Sequence, residues 1–178
     1  MPTDVVSVFE DSLSAIDVET TLTTADGFKS ALSDAIERPA VGTCLPFEGI
    51  SLTETEVSSE PTAAELEAAA TGVTPAGIGI AEHGSVVIQS DEKGNEPVSL
   101  YPPKHVAVVR TDDIVPDVGG ALEWLSGEFR DGRNSAVVAT GASATGDMGA
   151  LVEGVHGPET VHVLLLSDVE REQRGLDR

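Results

Sequence analysis

Small hydroxyl and carboxylate residues set directly behind a strand are the arrangement in this sequence best suited to hold an anion. Residues 135–140 carry a β-branched run, Gly141 interrupts it, and Ser143, Thr145 and Asp147 follow at alternate positions. If a helix starts there, its first turn aims free N–H groups at a ligand, and the two hydroxyls add donors without blocking access. The same residues would equally serve as an N-cap and a close packing contact. The expected order is a strand buried on both faces, a glycine turn, a small-residue helix, a second glycine turn at 155–158, and the apolar strand Thr160 to Leu166.

Acid–base candidates lie in two other loops. Glu82 sits between a buried run and the tight turn Glu82-His83-Gly84, which could desolvate its carboxylate for acid/base or nucleophilic work. It could also be a solvated turn residue. His156 is set off by Gly154, Gly157 and Pro158, a stiff loop that would present its ring beside the Gly157 backbone; hydrogen bonding to loop carbonyls is the alternative. His105 and His162 alternate with apolar residues inside strands, so both should face a helix or the domain edge. In open parallel sheets ligands sit outside the carboxyl ends of strands, and 43–46, 82–84, 141–147 and 156–158 could converge on one cleft there.

Cys44, the single cysteine, excludes an internal disulfide and any multi-cysteine cluster held by this chain alone. Just after a strand, it reads as a buried structural thiol, with a nucleophile as the alternative. The histidines show no zinc spacing, Asp112-Asp113 reads as a solvated loop, and no metal site is legible. There is no Walker A signature, no nucleophile elbow and no G-x-G-x-x-G behind a strand. Gly77-Ile78-Gly79 lies inside a strand pattern, where glycine signals close backbone packing.

The elements that must position these groups follow from periodicity. Asp4 caps a helix with Val5, Phe9, Leu13 and Ile16 on one face; a strand over Val18 to Thr23 follows. Thr24 should cap a second helix burying Phe28, Leu32 and Ile36, ahead of Pro39 and a short strand at 40–43. Residues 51–57 suggest an exposed edge strand. Thr62 and Glu65 form a capping box, with Gly72 expected just past the helix end. The runs 77–81 and 85–89 form a hairpin, and 91–97 a mobile surface turn. A buried strand at 105–109 precedes a helix that Asp117 caps, expected to bury Val118, Leu122, Leu125 and Phe129 with Trp124 on its flank. The alternation predicts an α/β domain: a mostly parallel sheet flanked by helices, with a central β-hairpin.

The chain has 178 residues, 40% of them apolar, enough for one domain with a real core. Aromatic residues make up 3%, which argues against base-stacking platforms. The net charge of -21, from 31 acidic and 10 basic residues spread along the chain, repels phosphate backbones and anionic membranes. Nucleic acid and lipid are therefore not expected partners. The excess matches a halophilic protein working in concentrated salt. With no secretory signal and no apolar run long enough to span a membrane, a cytoplasmic location is expected.

Five blocks resemble a known family: 72–74 through Ala81-Glu82-His83-Gly84-Ser85-Val86-Val87; Pro102 to Val109; Ile114-Val115-Pro116; Gly141 to Asp147; and Gly154 to Pro158 followed by Val161 to Leu165. They look like the LUD domain, and within it the lactate-utilization protein C (LutC/YkgG) group. The resemblance covers residues 71–166 well and 1–70 only in layout, within one domain over 1–170, leaving 171–178 as a disordered tail. It implies a fold of the NagB/RpiA/CoA-transferase kind. It also implies an accessory role beside two partner subunits, at least one an iron–sulfur protein, in oxidising L-lactate to pyruvate. The cluster would sit in a partner and this chain would bind no cofactor. The alternative is a stand-alone enzyme or binding module for a small carboxylate, acyl-CoA or sugar phosphate. The family's glycine loop usually reads Gly-Pro-Ser-x-Thr-Ala-Asp, commonly with arginine at x; here Ala142, Ala144 and Gly146 depart from it.

Overall fold

A computed structural model describes residues 4–142, 144–147, 150–153 and 156–171. The chain opens α1 (Val5–Ser14), β1 (Glu19–Thr23), α2 (Phe28–Ala35), β2 (Ala40–Gly42), β3 (Val57–Ser59), α3 (Ala63–Ala68) and β4 (Thr71–Pro75). Then come β5 (Ile78–Ile80), β6 (Ser85–Gln89), α4 (Asn95–Leu100), β7 (Lys104–Arg110), β8 (Ile114–Val115), α5 (Val118–Arg130) and β9 (Ala136–Thr140). It continues through β10 (Ala144–Asp147), β11 (Ala150–Glu153) and β12 (Thr160–Leu166).

The main sheet runs β1-β12-β7-β4-β2-β3, with every pairing parallel. Its central strands are buried on both faces, as parallel strands flanked by other layers must be. Val106, Val108, Leu164 and Leu166 point to one side and join Phe28, Leu32 and Phe47. Ala107, Val109, Val163 and Leu165 point to the other and join Phe9 and Leu13 of α1 with Val86 and Ile88 of β6. That second layer is a four-stranded sheet, β8-β5-β6-β9, containing the expected hairpin β5–β6. Its outer face, with Ile78, Ile80 and Val87, is covered by Ala121, Trp124 and Leu125 of α5. Glycines just before and within β5 make this stacking possible. A Cβ on Gly77 would lie 2.3 Å from Trp124 Cη2, and one on Gly79 2.9 Å from Phe9 Cζ.

Caps account for most helix starts. Asp4 accepts a hydrogen bond from Val6 N–H, Thr62 and Glu65 close a reciprocal capping box, and Asp117 accepts from Gly120 N–H. Thr62 also holds the Glu65 carboxyl below its usual range, through hydrogen bonds to the carboxylate. Thr24 is not a cap: the turn runs on to Gly27, and α2 starts at Phe28 so that Phe28, Leu32 and Ala35 face the core, leaving Ile36 partly exposed.

Several expectations fail for physical reasons. Gly72 is no helix terminator but a residue of the buried strand β4, where a Cβ would lie 2.0 Å from the Val98 carbonyl oxygen. The segment 91–97, expected as a surface turn, leads into α4: Asp91 accepts from the N–H groups of Lys93 and Asn95, and Asn95 is buried. β9 is a partly exposed edge strand rather than one buried on both faces, because antiparallel β6 covers only one side of it. Among the described residues no helix follows Gly141. Ala144–Asp147 instead pairs antiparallel with Ala150–Glu153, and Gly146 and Gly149 each weaken a helix by about 1 kcal/mol relative to Ala. Finally α5 turns Ala121 and Trp124 inward, so Val118, Leu122 and Phe129 are exposed.

Candidate functional site

The connections leaving β2 and β4 run in opposite directions, one to β3 on the sheet edge, the other through the second sheet and α4 to β7. Such a divergence opens a crevice at the carboxyl ends of the two strands. A cavity of about 240 Å³ lies there, lined by Cys44 and Pro46 after β2, by Pro75, Ala76 and Gly77 after β4, and by Gln89, Asp91, Lys93, Asn95, Arg133 and Arg171. A larger hollow of about 490 Å³ between α3 and α4 adjoins it and shares Cys44 and Lys93. The second sheet forms the opposite wall, since β6 returns to this edge at Gln89 and β9 leaves from it just after Arg133.

Beneath the cleft lies a polar network that is buried at Thr43 and Asn95 and reaches the surface at Asp91. Thr43 Oγ1 donates to Asn95 Oδ1 at 2.5 Å, and Asn95 Nδ2 donates to Asp91 Oδ2 at 3.0 Å. These bonds pin the loop after β2 to the start of α4, and with it the segment carrying Lys93. Buried polar groups tied in this way hold a site rigid.

Three of the chain's ten basic residues line this one cavity, against one carboxylate, Asp91. On a surface of net charge -21 that concentration marks where an anion would be drawn. Two of the three are fixed by the fold. Arg171 Nε donates to Asp113 Oδ2 at 2.9 Å, and its Nη2 donates to the carbonyls of Ala76 and Gly77 at 3.2 and 2.6 Å. Its guanidinium carbon also lies 5.4 Å from the centre of the Phe47 ring. Arg133 is held by Glu128 and by Asp131. Lys93 is exposed and, among the described residues, forms no ion pair, so its ammonium is available to a ligand.

These contacts revise three sequence expectations. Asp113 is not a solvated loop carboxylate, because it joins Arg171 to Arg110, whose Nε lies 3.6 Å from it. Arg171 belongs to the folded body rather than to a tail; residues 172–178 lie outside the described residues. Cys44 follows β2 as expected, but it is exposed at the junction of the two hollows rather than buried.

The residues first singled out lie elsewhere. Of the four loops expected to converge, only 43–46 lines the cleft; Glu82, Gly141, His156 and Gly157 are not among its lining residues. Glu82 is 44% exposed rather than desolvated, and its Oε1 accepts from Val118 N–H at 2.9 Å, helping Asp117 to cap α5. Gly141 has the left-handed φ of 68° that favours glycine and packs against Ile16 at the far end of the second sheet. Ser143 lies outside the described residues. Thr145 and Asp147 fall on β10, where no helix begins. His156 and Gly157 precede β12 at the amino edge of the main sheet, opposite the cleft.

The strand histidines are structural. His105 is fully buried with Nε2 2.9 Å from Thr74 Oγ1, and burial pushes its pKa down to about 4. His162 has Nε2 2.9 Å from Thr21 Oγ1 and Nδ1 3.3 Å from Glu19 Oε2. Burial lowers its pKa, with the Glu19 carboxylate pulling the other way.

Lys93, Arg133 and Arg171 escaped the sequence reading because they stand in three unrelated segments: a polar turn, the residue after a helix-ending glycine, and an apparent tail. The one available signal was their scarcity.

Comparison with known proteins agrees with this architecture. The family model for the LUD domain matches residues 5–166, taking in most of the first seventy residues. Lactate utilization protein C of Deinococcus radiodurans is 29% identical over 170 residues, covering 92% of this chain and 80% of that protein. Its namesake in Bacillus velezensis is 33% identical over 128 residues, covering 69% and 53%. The crystal structure of a DUF162 family protein from Deinococcus radiodurans superposes with a TM-score of 0.67 at 23% identity, covering 91% of this chain and 96% of that one. The chain belongs to the LUD domain family.

Proposed function

We propose that this chain serves lactate utilization as an accessory subunit, holding a small carboxylate in the cleft between β2 and β4 while an iron–sulfur partner carries the electrons. The observation behind this reading is the basic lining of that cleft in a strongly acidic chain, with the Lys93 ammonium left without an ion pair among the described residues. The names of its relatives supply the choice of lactate, and pyruvate is its two-electron oxidation product. An iron–sulfur cluster calls for several cysteine ligands, and Cys44 alone does not fit that role. The cluster is therefore assigned to a partner. Among the described residues no helix is long and apolar enough to cross a membrane, and the working location is the cytoplasm.

The test is lactate-dependent dye reduction by co-expressed partner subunits with and without this chain. Activity should require the chain, and the subunits should co-purify; unchanged activity without co-purification contradicts the reading. The acidic surface is assigned to work in concentrated salt. Resistance to urea should accordingly rise between about 0.1 and 2 M KCl, as the screening length falls from about 10 Å to below 3 Å. A flat response contradicts that assignment.

A further inference from the structure

The outer flank of α5 carries Val118, Leu122 and Phe129, with Leu125 at its border, packed partly against the second sheet; the four are spaced 4, 3 and 4, the interval of a coiled-coil seam. Val118, Leu122 and Phe129 are 43%, 61% and 50% exposed, and Leu122, Leu125, Ser126, Phe129 and Arg130 line one shallow hollow. Val138 of β9 pairs with Val87, whose side chain lies under α5, and so extends this apolar face while 53% exposed. Contiguous apolar surface of this kind marks an association site.

The pattern is its own complement. Reversed end to end about the point between Glu123 and Trp124, Val118 falls opposite Phe129, Leu122 opposite Leu125, and Asp117 opposite Arg130. The charges follow the same reversal. Asp117 and Glu82 cap the amino end of α5, whereas Arg130 at its carboxyl end forms no ion pair among the described residues. We infer that α5 pairs antiparallel with α5 of a second copy about a two-fold axis, which brings each Arg130 to the acidic amino end of the other helix. Two bodies of net charge -21 repel at low salt. Concentrated salt screens that long-range repulsion while leaving the apolar seam intact, so association should strengthen as salt rises.

Sedimentation velocity of the full chain at about 0.1 and 2 M KCl tests this. The expected result is a mass that doubles at high salt. It should return to monomer in Leu122→Glu/Phe129→Glu, which alters exposed positions and should keep the circular dichroism spectrum. Arg130→Glu should raise the dimer dissociation constant about tenfold, the effect of losing about 1.4 kcal/mol. A monomer at every salt concentration overturns the inference, including the case in which this flank docks a different protein. A dimer that survives the double substitution overturns it as well.

Discussion

The molecule has two places where a strand runs out into a loop rich in small polar residues, and only one is built as a site. At the carboxyl ends of β2 and β4 the loops part, the floor is a hydrogen-bonded network from buried Thr43 and Asn95 to Asp91, and three cationic side chains line the gap. At the end of β9 the chain leaves a half-exposed edge strand through Gly141 and continues into the β10–β11 hairpin. Among the described residues no strands diverge there and no helix begins. Residue types suggested an anion site at the second place, whereas sheet topology opens a crevice with a basic lining at the first. Ser, Thr and Asp after a glycine bind an anion only when a helix terminus or crevice organises their donors.

The difference can be broken by substitution. The largest effect should come from a methyl group behind the cleft. Gly72→Ala sets its Cβ against the Val98 carbonyl, which neither β4 nor α4 can yield cheaply, and should cost about 3 kcal/mol or more in urea unfolding. Gly141→Ala, strained only by its left-handed φ of 68° with Ile16 Cδ1 at 3.4 Å, should cost about 1–2 kcal/mol. Equal losses would deny the contrast in packing between the two places.

A smaller effect, shared with the sheet interior, separates by pH. His105 has a folded pKa of about 4 against an ordinary value near 6.5. Below 6.5 the unfolded chain takes up a proton that the folded chain refuses. The resulting stability is complete above that pH and is lost as the pH falls towards 4, to a limit of about 3 kcal/mol. His105→Asn should remove that slope between pH 6.5 and 4, measured as the difference from the parent protein. An unchanged slope would mean that His105 is protonated in the folded state. Burial also lowers the His162 pKa, so its substitution should remove a further part of the same slope.

Much of the fold was legible because local rules and tertiary packing agree. The caps at Asp4, Thr62 and Asp117, the β5–β6 hairpin and the apolar strands β7 and β12 all follow from periodicity and capping chemistry. The reading failed where tertiary context decides. α5 offers two candidate apolar stripes, and the sheet chose Ala121 and Trp124, whose indole covers Gly77. The small residues after Gly141 suit a cap or a hairpin alike, and pairing with 150–153 settled it. The candidate site was the least legible part. Its cations are about 40 residues apart along the chain and meet because β6 ends, and β9 begins, at the carboxyl edge of the main sheet.

Titration of lactate and pyruvate into parent protein, Lys93→Ala, Glu82→Gln and His156→Ala by isothermal calorimetry therefore tests the central claim most directly. Loss of the Lys93 ammonium should weaken carboxylate binding about tenfold, or 1.4 kcal/mol, while the other two variants bind as the parent does. Parent-like binding by Lys93→Ala, together with weakened binding by Glu82→Gln or His156→Ala, would place the site at the opposite end of the molecule and contradict the account.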